Sequence, residues 1–371
     1  MSFDYIIVGS GLTGATIARL LHDRGARVLL LERRHEIGGN VCDWVHSSGI
    51  RVHRYGPHYF RTNSDRLWQF VNRFAHFHRY EASLLTIVDG VHEHWPVTSA
   101  YLERTVGLDW QPEFKAGAMN FEDACLRIMP RQVYEKFVRG YTEKQWGVPA
   151  KTLSPSLAGR FDVRTDNEFR LSRHRFQGIP MHGYSAFMRS MLHGIPLELG
   201  CDYLKNRDRF QPEVSLVFTG PIDEFFEFDQ GRLLYRGQRR EHEYLPDVDR
   251  AQPCGQVNNP DPHNGPHIRT LEWRHMLPES EARASRGTLL TREYPIWPSC
   301  PDEFEYPFPD AANQRKYRRY AERADQIPNL LVCGRLGEYR YYDMDQAIAR
   351  ATVLTSRLLG VHKVAAAAGG D

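Results

Sequence analysis

The chain reads as an α/β protein built on a parallel sheet, with a mainly helical insertion and a separate antiparallel sheet. Three observations carry that reading. Within the first 32 residues a short apolar strand, a glycine loop, a helix and a second strand follow in order. Similar isolated strands recur near Val214 and Leu330, the latter followed by a closing helix. Between them lie a long stretch with helical apolar spacing and several strands of alternating pattern.

Phe3 to Val8 is the opening strand, rich in β-branched and aromatic residues. Gly9-Ser10-Gly11-Leu12-Thr13-Gly14 follows at once as G-x-G-x-x-G, and Ala15 to Arg24 reads as a helix stopped by Gly25. Arg27 to Leu31 is the second strand and ends on Glu32. In this context the glycines have separate tasks. Gly9 permits the tight turn, Gly11 lets the backbone approach a pyrophosphate, and Gly14 lets helix and strand pack closely. The helix N-terminus faces the phosphates, and Glu32 can accept from a ribose diol. The unit is therefore a Rossmann-like dinucleotide site. Gly38-Gly39, a few residues beyond the acid, favours FAD over NAD and resembles the extended fingerprint of FAD oxidoreductases and amine-oxidase-like flavoproteins.

Composition narrows the class. The chain has 371 residues, 41% of them hydrophobic, enough for a large core and two or three domains. A formal charge of +2 gives no reason to expect nucleic-acid binding. Arginine is abundant between Arg160 and Arg175, which suits an anionic ligand or a solvated basic face. The six cysteines include no C-x-x-C pair, so no metal site is expected. No signal peptide or apolar run of roughly 20 residues is seen, so a cytoplasmic location without a membrane span is expected.

Along the chain, Gly49 to Thr62 mixes alternation with a Gly-Pro turn, and Leu67 to Phe77 carries a helical apolar face. Tyr80 to Trp95 is strand-like, with Asp89-Gly90 as a hairpin turn. Val97 to Trp146 is mostly helical. Phe137 and Tyr141 stand four apart there, and spacing leaves open whether they are core or a stacking platform. Val214 to Gly220, Arg269 to Trp273, Gly287 to Tyr294 and Asn329 to Arg335 read as strands, the last running into a glycine. Gln314 to Gln326 and Asp345 to Leu359 read as helices, and Ala365 to Asp371 as a frayed tail. The nucleotide-binding domain is thus discontinuous, over 1–78, 182–240 and 320–371. A mainly helical substrate domain covers 79–150, and the antiparallel sheet domain 151–181 and 241–319.

Five stretches carry a wider resemblance. They are Tyr55-Gly56-Pro57-His58-Tyr59-Phe60, Gly140-Tyr141-Thr142-Glu143-Lys144-Gln145-Trp146-Gly147, Phe176 to Pro180, Thr219 to Asp223, and Gly334 to Asp345. With the N-terminal fingerprint, they resemble the UDP-galactopyranose mutase family nearly end to end. The resemblance implies a discontinuous Rossmann-like FAD-binding domain, an inserted helical domain and a six-stranded antiparallel sheet. It implies interconversion of UDP-galactopyranose and UDP-galactofuranose without net redox change, through a covalent adduct of the sugar C1 with N5 of reduced FAD. It further implies a nucleotide-sugar partner and an electron donor such as NAD(P)H or a flavin reductase, and leaves a homodimer open.

The resemblance also assigns residues. Arg160 and Arg269 match a pair that forks onto the substrate diphosphate and steadies the leaving charge. Tyr306 and Tyr341 match donors to the same phosphates. Trp146 matches the sugar pocket, and Tyr141 with Phe137 the platform under the base. Asp343 matches an acid near sugar and flavin, and His58 a position by the flavin, both in the catalytic set with the arginines. Cofactor contacts are implied at Gly9, Gly11, Leu12, Thr13, Gly14, Glu32, Arg33, Gly39, Asn40, His58, Arg335, Tyr342, Asp343 and Met344.

Three positions depart from the family. Arg61 stands where a histidine is common, beside the reacting sugar. His78-Arg79 stands where Asn-Arg is common, on the nucleotide side. Leu171 replaces a tyrosine of the substrate-covering region. A sister substrate therefore stays open, UDP-N-acetylgalactosamine or a deoxy sugar on another nucleotide. An amine-oxidase-like flavin oxidoreductase is the reading from another class, and a non-catalytic relative the third.

Overall fold

The structure is a computed structural model. It describes residues 2–114 and 117–368, with side chains up to residue 360. Strand β1 (Phe3–Val8), helix α1 (Leu12–His22) and strand β2 (Val28–Glu32) form the expected opening unit. The sheet they start is wholly parallel. Its order is Leu197–Leu199, β2, β1, Pro212–Phe218 and Leu330–Val332. β2 is buried along its whole length, which is why it reads as a continuous apolar run. Helix α1 packs against the closing helix Met344–Ala368, and both cover the core of β1 and β2. That helix includes Ala365 to Ala368 of the expected frayed tail, and residues 369–371 lie outside the described residues.

The large sheet has seven strands rather than six. Its order is Tyr306–Pro307, Tyr235–Leu245, Thr288–Ile296, Arg269–Glu272, Gln256–Asn258, Leu84–Val88 and Val91–Trp95. Every pair is antiparallel except Gln256–Asn258 with Leu84–Val88, which is parallel. The hairpin 84–95, expected at the entrance to the helical part, is thus hydrogen-bonded into this sheet. Its turn places Asp89 and Gly90 at φ 52° and 80°, the left-handed pair that a tight hairpin needs. A smaller antiparallel sheet is formed by Phe60–Thr62, Phe176–Pro180 and Phe77–Arg79, with Phe176–Pro180 in the middle.

The helical part, Ser99–Thr105, Phe121–Leu126 and Arg131 to Trp146, has its own apolar core. Its last stretch winds as a π-helix over Tyr134–Arg139 before returning to an α-helix at Gly140. That wider turn breaks the i,i+4 register between Phe137 and Tyr141.

Candidate active site

One cavity of about 780 Å³ runs from the glycine loop, between the parallel and large sheets, to the helix Gly140–Trp146. At one end it is floored by the loop after β1. Gly9 has φ 102°, and a Cβ there would stand 2.2 Å from Thr219 Oγ1. A Cβ on Gly14 would lie 2.0 Å from the Gly9 carbonyl oxygen, so close helix–strand packing excludes one. A Cβ on Gly11 would meet no protein atom within 4 Å. Gly11 lines the cavity, so the space beside it is open for a ligand. Gly39 comes close enough to Gly11 that a Cβ would fall 2.9 Å from its Cα. A groove that narrow, with bare backbone on both sides, fits a dinucleotide pyrophosphate.

The other expected cofactor residues line the same end: Leu12, Thr13, Arg33, Asn40, Arg335, Tyr342 and Met344. Glu32 is buried and already employed. Its Oε2 accepts from Ser10 N at 2.8 Å and Ser10 Oγ at 2.7 Å, and its Oε1 from Arg34 N at 3.0 Å. A carboxylate has about four acceptor sites, so one is left for a ribose hydroxyl. Arg33 pairs with Glu224 at 3.1 Å, and Asn40 donates to the Phe304 carbonyl at 3.1 Å. Arg335 donates to the carbonyls of Glu305 and Phe304, at 2.5 and 3.0 Å, and burial lowers its pKa from the ordinary value.

His58 is fixed on the cavity wall. Its Nδ1 lies 2.8 Å from the Gly56 carbonyl, and its backbone N–H donates to His53 Nδ1 at 3.0 Å. Burial pushes both imidazoles down to about 3, so both are neutral at physiological pH.

Further along, the cavity is lined by arginine and tyrosine side chains. The Arg160 guanidinium lies 4.1 Å from the centroid of the Tyr341 ring, which stacks at 6.1 Å on Tyr306. Arg269 is on the same cavity, ion-paired with the fully buried Glu293, and Tyr141 lines the cavity with it. Burial opposes its charge, but Glu293 outweighs burial and holds the guanidinium well above its ordinary value. Burial also raises the phenols of Tyr306 and Tyr141, which keeps both protonated as donors. Arg61 and Asp343 meet between the two ends. Arg61 Nη2 lies 3.3 and 3.2 Å from the two carboxylate oxygens, and the Tyr341 hydroxyl donates to Asp343 Oδ1 at 3.4 Å. Trp146 and Leu171 complete the wall.

Two expected contacts fall elsewhere. Phe137 is buried in the helical core, 5.0 Å from the Tyr101 ring and 6.1 Å from Trp95, off the cavity wall. The π-turn before Tyr141 separates the two faces, so Tyr141 alone of that pair lines the cavity. His78 sits on the strand Phe77–Arg79 and lines a second, very small cavity with His53, Trp273 and Met276. Strand alternation sends it to the opposite side from the nucleotide position implied by the resemblance. The basic stretch resolves as well. Arg164, Arg170, Arg173 and Arg175 pair with Asp162, Glu168, Asp166 and Asp65, and Arg160 is the arginine of this stretch on the cavity.

Sequence reading missed Glu293, Arg240 and Glu305, which stand behind Arg269, and Gln145, Gln256 and Asn258 on the wall. A faint signal existed. Arg240, Glu293 and Arg269 are charged residues inside strands, at positions whose alternation points inward.

The fold and cavity define a Rossmann-type protein whose glycine-lined groove opens into a pocket lined by arginine and tyrosine. A family model for UDP-galactopyranose mutase matches residues 136–341, and one for an NAD(P)-binding Rossmann-like domain matches 7–74. The chain is 30% identical over 365 residues to a dTDP-fucopyranose mutase of Escherichia coli, covering 93% of this chain and 96% of that one. It is also 30% identical over 362 residues to a probable UDP-galactopyranose mutase of Klebsiella pneumoniae, covering 93% and 92%. The crystal structure of a reduced UDP-galactopyranose mutase superposes with a TM-score of 0.78 at 14% identity, over 97% of this chain and 94% of that one. A putrescine oxidase gives 0.60 at 11% identity, over 97% and 99%, a likeness of fold alone. The chain belongs to the UDP-galactopyranose mutase family, and it is an isomerase. Among the described residues no helix is long and apolar enough to cross a membrane, and no group of three metal-ligating side chains occurs.

Proposed function

We propose that this enzyme interconverts the pyranose and furanose forms of a nucleotide sugar, with UDP-galactose the first substrate to test and FAD its cofactor. The observation that carries the reading is the placing of Arg160 and Arg269 on one cavity with Tyr306 and Tyr341, continuous with the bare-backbone groove. Two guanidinium forks and two phenols suit a diphosphate better than the amine or apolar substrate of an oxidase. When bound and reduced, FAD would supply the nucleophile toward the anomeric carbon, with no net redox change.

The protein's own part is binding and charge. Gly9, Gly11 and Gly14 admit the cofactor's pyrophosphate beside the N-terminus of α1. Glu32 takes its ribose, and Arg335 presents a buried positive charge. Arg160 and Arg269 hold the diphosphate, and they neutralise the charge that grows on it as the bond to the sugar breaks. Tyr306 and Tyr341 donate to the same oxygens. Tyr141 and Trp146 line the nucleotide and sugar positions. Neutral His58 holds its proton on one ring nitrogen and acts as a dipole rather than a charge. The external reductant in this reading is NAD(P)H or a flavin reductase.

A second substrate reading has its own observations. Arg61, paired with Asp343 near the sugar position, and the likeness to a dTDP-fucopyranose mutase favour a deoxy or N-acetylated sugar, or another base. One experiment tests both. Purified protein is reduced with dithionite and incubated with UDP-galactose, UDP-N-acetylgalactosamine and dTDP-fucose, and furanose products are separated by chromatography. Product from one of these with reduced but not oxidised protein is expected. Equal turnover by oxidised or flavin-free protein, or oxygen consumption with an amine, would overturn the reading.

A further inference from the structure

The large sheet carries a row of buried charge of which the proposed reaction uses only Arg269 directly. Three direct cross-strand pairs build it: Asn258 opposite Arg269, Arg269 opposite Glu293, and Glu293 opposite Arg240. Cross-strand partners share a face of the sheet, so all four side chains point the same way. Glu293 is 0% exposed and spends both oxygens in the row. Its Oε1 accepts from Arg240 Nε at 2.8 Å and its Oε2 from Arg269 Nε. Arg240 turns its other edge to Glu305, with Nη1 to Oε1 and Nη2 to Oε2 at 2.9 Å each. The charges alternate from Glu305 through Arg240 and Glu293 to Arg269; the two ends, Glu305 and Arg269, line the cavity, and Arg240 and Glu293 stand behind it.

The row is also closed from one side. Gly56, at φ 85°, comes so near that a Cβ there would stand 2.8 Å from Glu293 Oε1 and 3.3 Å from Arg269 Nη2. The turn that carries His58 therefore presses on the same group that steers Arg269. Because Glu293 takes the Nε, the outer nitrogens of Arg269 are left for the occupant of the cavity.

We propose that Glu293 is a positioning residue for Arg269. It fixes the plane of the guanidinium so that the fork stands where charge develops on the leaving diphosphate. The inference rests on the reading that Arg269 holds that diphosphate. A carboxylate directly behind an arginine weakens its pull on a bound anion, so Glu293 works against ground-state affinity. What it adds is geometry, and misplacement of a reacting group by about 1 Å can cost on the order of a hundredfold in rate.

Those two effects have opposite signs, and this makes the proposal testable. In FAD-loaded Glu293→Gln, the reach is kept and one negative charge is lost. UDP should bind as tightly as to wild type or more tightly, while turnover of the active nucleotide sugar falls roughly tenfold to a hundredfold. Glu293→Asp keeps the charge and shortens the reach, so it should slow turnover with UDP affinity unchanged. If Glu293→Gln does not retain flavin, Glu293→Asp carries the test. Combined with Arg269→Lys, either change should add little, because the fork it positions is already gone. Wild-type turnover in both variants would overturn the inference. So would UDP affinity and turnover falling in equal proportion, or an undiminished effect on the Arg269→Lys background. Unchanged UDP affinity in Arg269→Ala would overturn the diphosphate clamp itself, and this inference with it.

Discussion

Gly11 and Gly14 stand three residues apart in one loop, yet alanine should affect them through different quantities. In Gly14→Ala the new methyl would lie 2.0 Å from the Gly9 carbonyl oxygen and 3.4 Å from Ile7 Cγ2. The first clash is with backbone, which cannot rotate away. Overpacking of this kind costs about 1–3 kcal/mol, and a 2.0 Å approach belongs at the upper end. Alanine regains about 1 kcal/mol of helix propensity. The net expectation is a loss of about 2 kcal/mol in the flavin-free protein. Gly11 has φ −65° and ψ 173°, which alanine adopts without strain, and its methyl would meet no protein atom within 4 Å. Restricting the unfolded chain there is worth about 0.4–1 kcal/mol, so the flavin-free protein should melt at the wild-type temperature or slightly above. The methyl would, however, occupy the space where the backbone meets the pyrophosphate. FAD affinity should fall at least tenfold, about 1.4 kcal/mol. Melting of the stripped proteins followed by circular dichroism, and FAD titration followed by flavin fluorescence, separate the two quantities. Wild-type FAD affinity in Gly11→Ala, or wild-type melting in Gly14→Ala, would refute the account of the loop.

Arg160→Ala should lower turnover together with affinity, since the charge it meets grows as the bond breaks, and loss of a charge-assisted contact is worth roughly 1.5–3 kcal/mol. Arg160→Lys should also be poor, because an ammonium neither forks nor stacks on Tyr341, and steady-state kinetics on the active sugar reads both. Below the ordinary histidine value near 6.5 the unfolded chain protonates at His53 and His58, while the folded chain resists until about pH 3. Stability should therefore fall as pH drops through that window, and His58→Gln should flatten the slope of denaturation midpoint against pH. Arg61→His should change the rank order of sugars while flavin content and melting stay near wild type, because a half-exposed pair such as Arg61–Asp343 adds only about 0.2–1 kcal/mol. An unchanged rank order across the substrate panel would remove Arg61 from specificity.

The fold was legible where local pattern and tertiary role coincide. β1, α1 and β2 were readable because burial on both faces leaves an unbroken apolar run, and the glycines fix the turn between. The hairpin at Asp89-Gly90 was readable from its turn chemistry, but not its partner, since pairing with Gln256–Asn258 joins strands about 170 residues apart. For Phe137 the spacing left core and platform open and the resemblance placed it under the base; the turn that precedes Tyr141 is π-wound, which parts the two faces and leaves Phe137 in the core. His78 misled because placement on the strand Phe77–Arg79 decides its side, and one residue of register reverses that.

Charge was the least legible property, and it is the one that defines the pocket. The stretch 160–175 displays five arginines alike in sequence. In the fold, four have carboxylate partners, Arg164 buried and the others partly exposed, and a cation already paired attracts a further anion weakly. Arg160 has no carboxylate partner among the described residues; it lies on a tyrosine ring instead. Arg335 likewise has no ion pair among the described residues; carbonyls accept from it, the Glu305 carboxylate supports its charge, and burial works against it. A cation without a close carboxylate partner is stabilised by the arrival of an anion, because the ligand then supplies the missing countercharge, and the effect is stronger at the half-buried Arg335 than at the exposed Arg160. These two arginines stand on one cavity, Arg335 at the groove and Arg160 at the pocket lined by arginine and tyrosine. Arg269 differs, since Glu293 already neutralises it, so its part is direction more than attraction. On the proposed reading, in which cofactor and substrate are both diphosphates, the two ends of the cavity divide the positive charge. Each end has an arginine without a close carboxylate partner among the described residues, and Arg61 and Asp343 on the same cavity neutralise one another, so on that reading neither diphosphate is drawn to them.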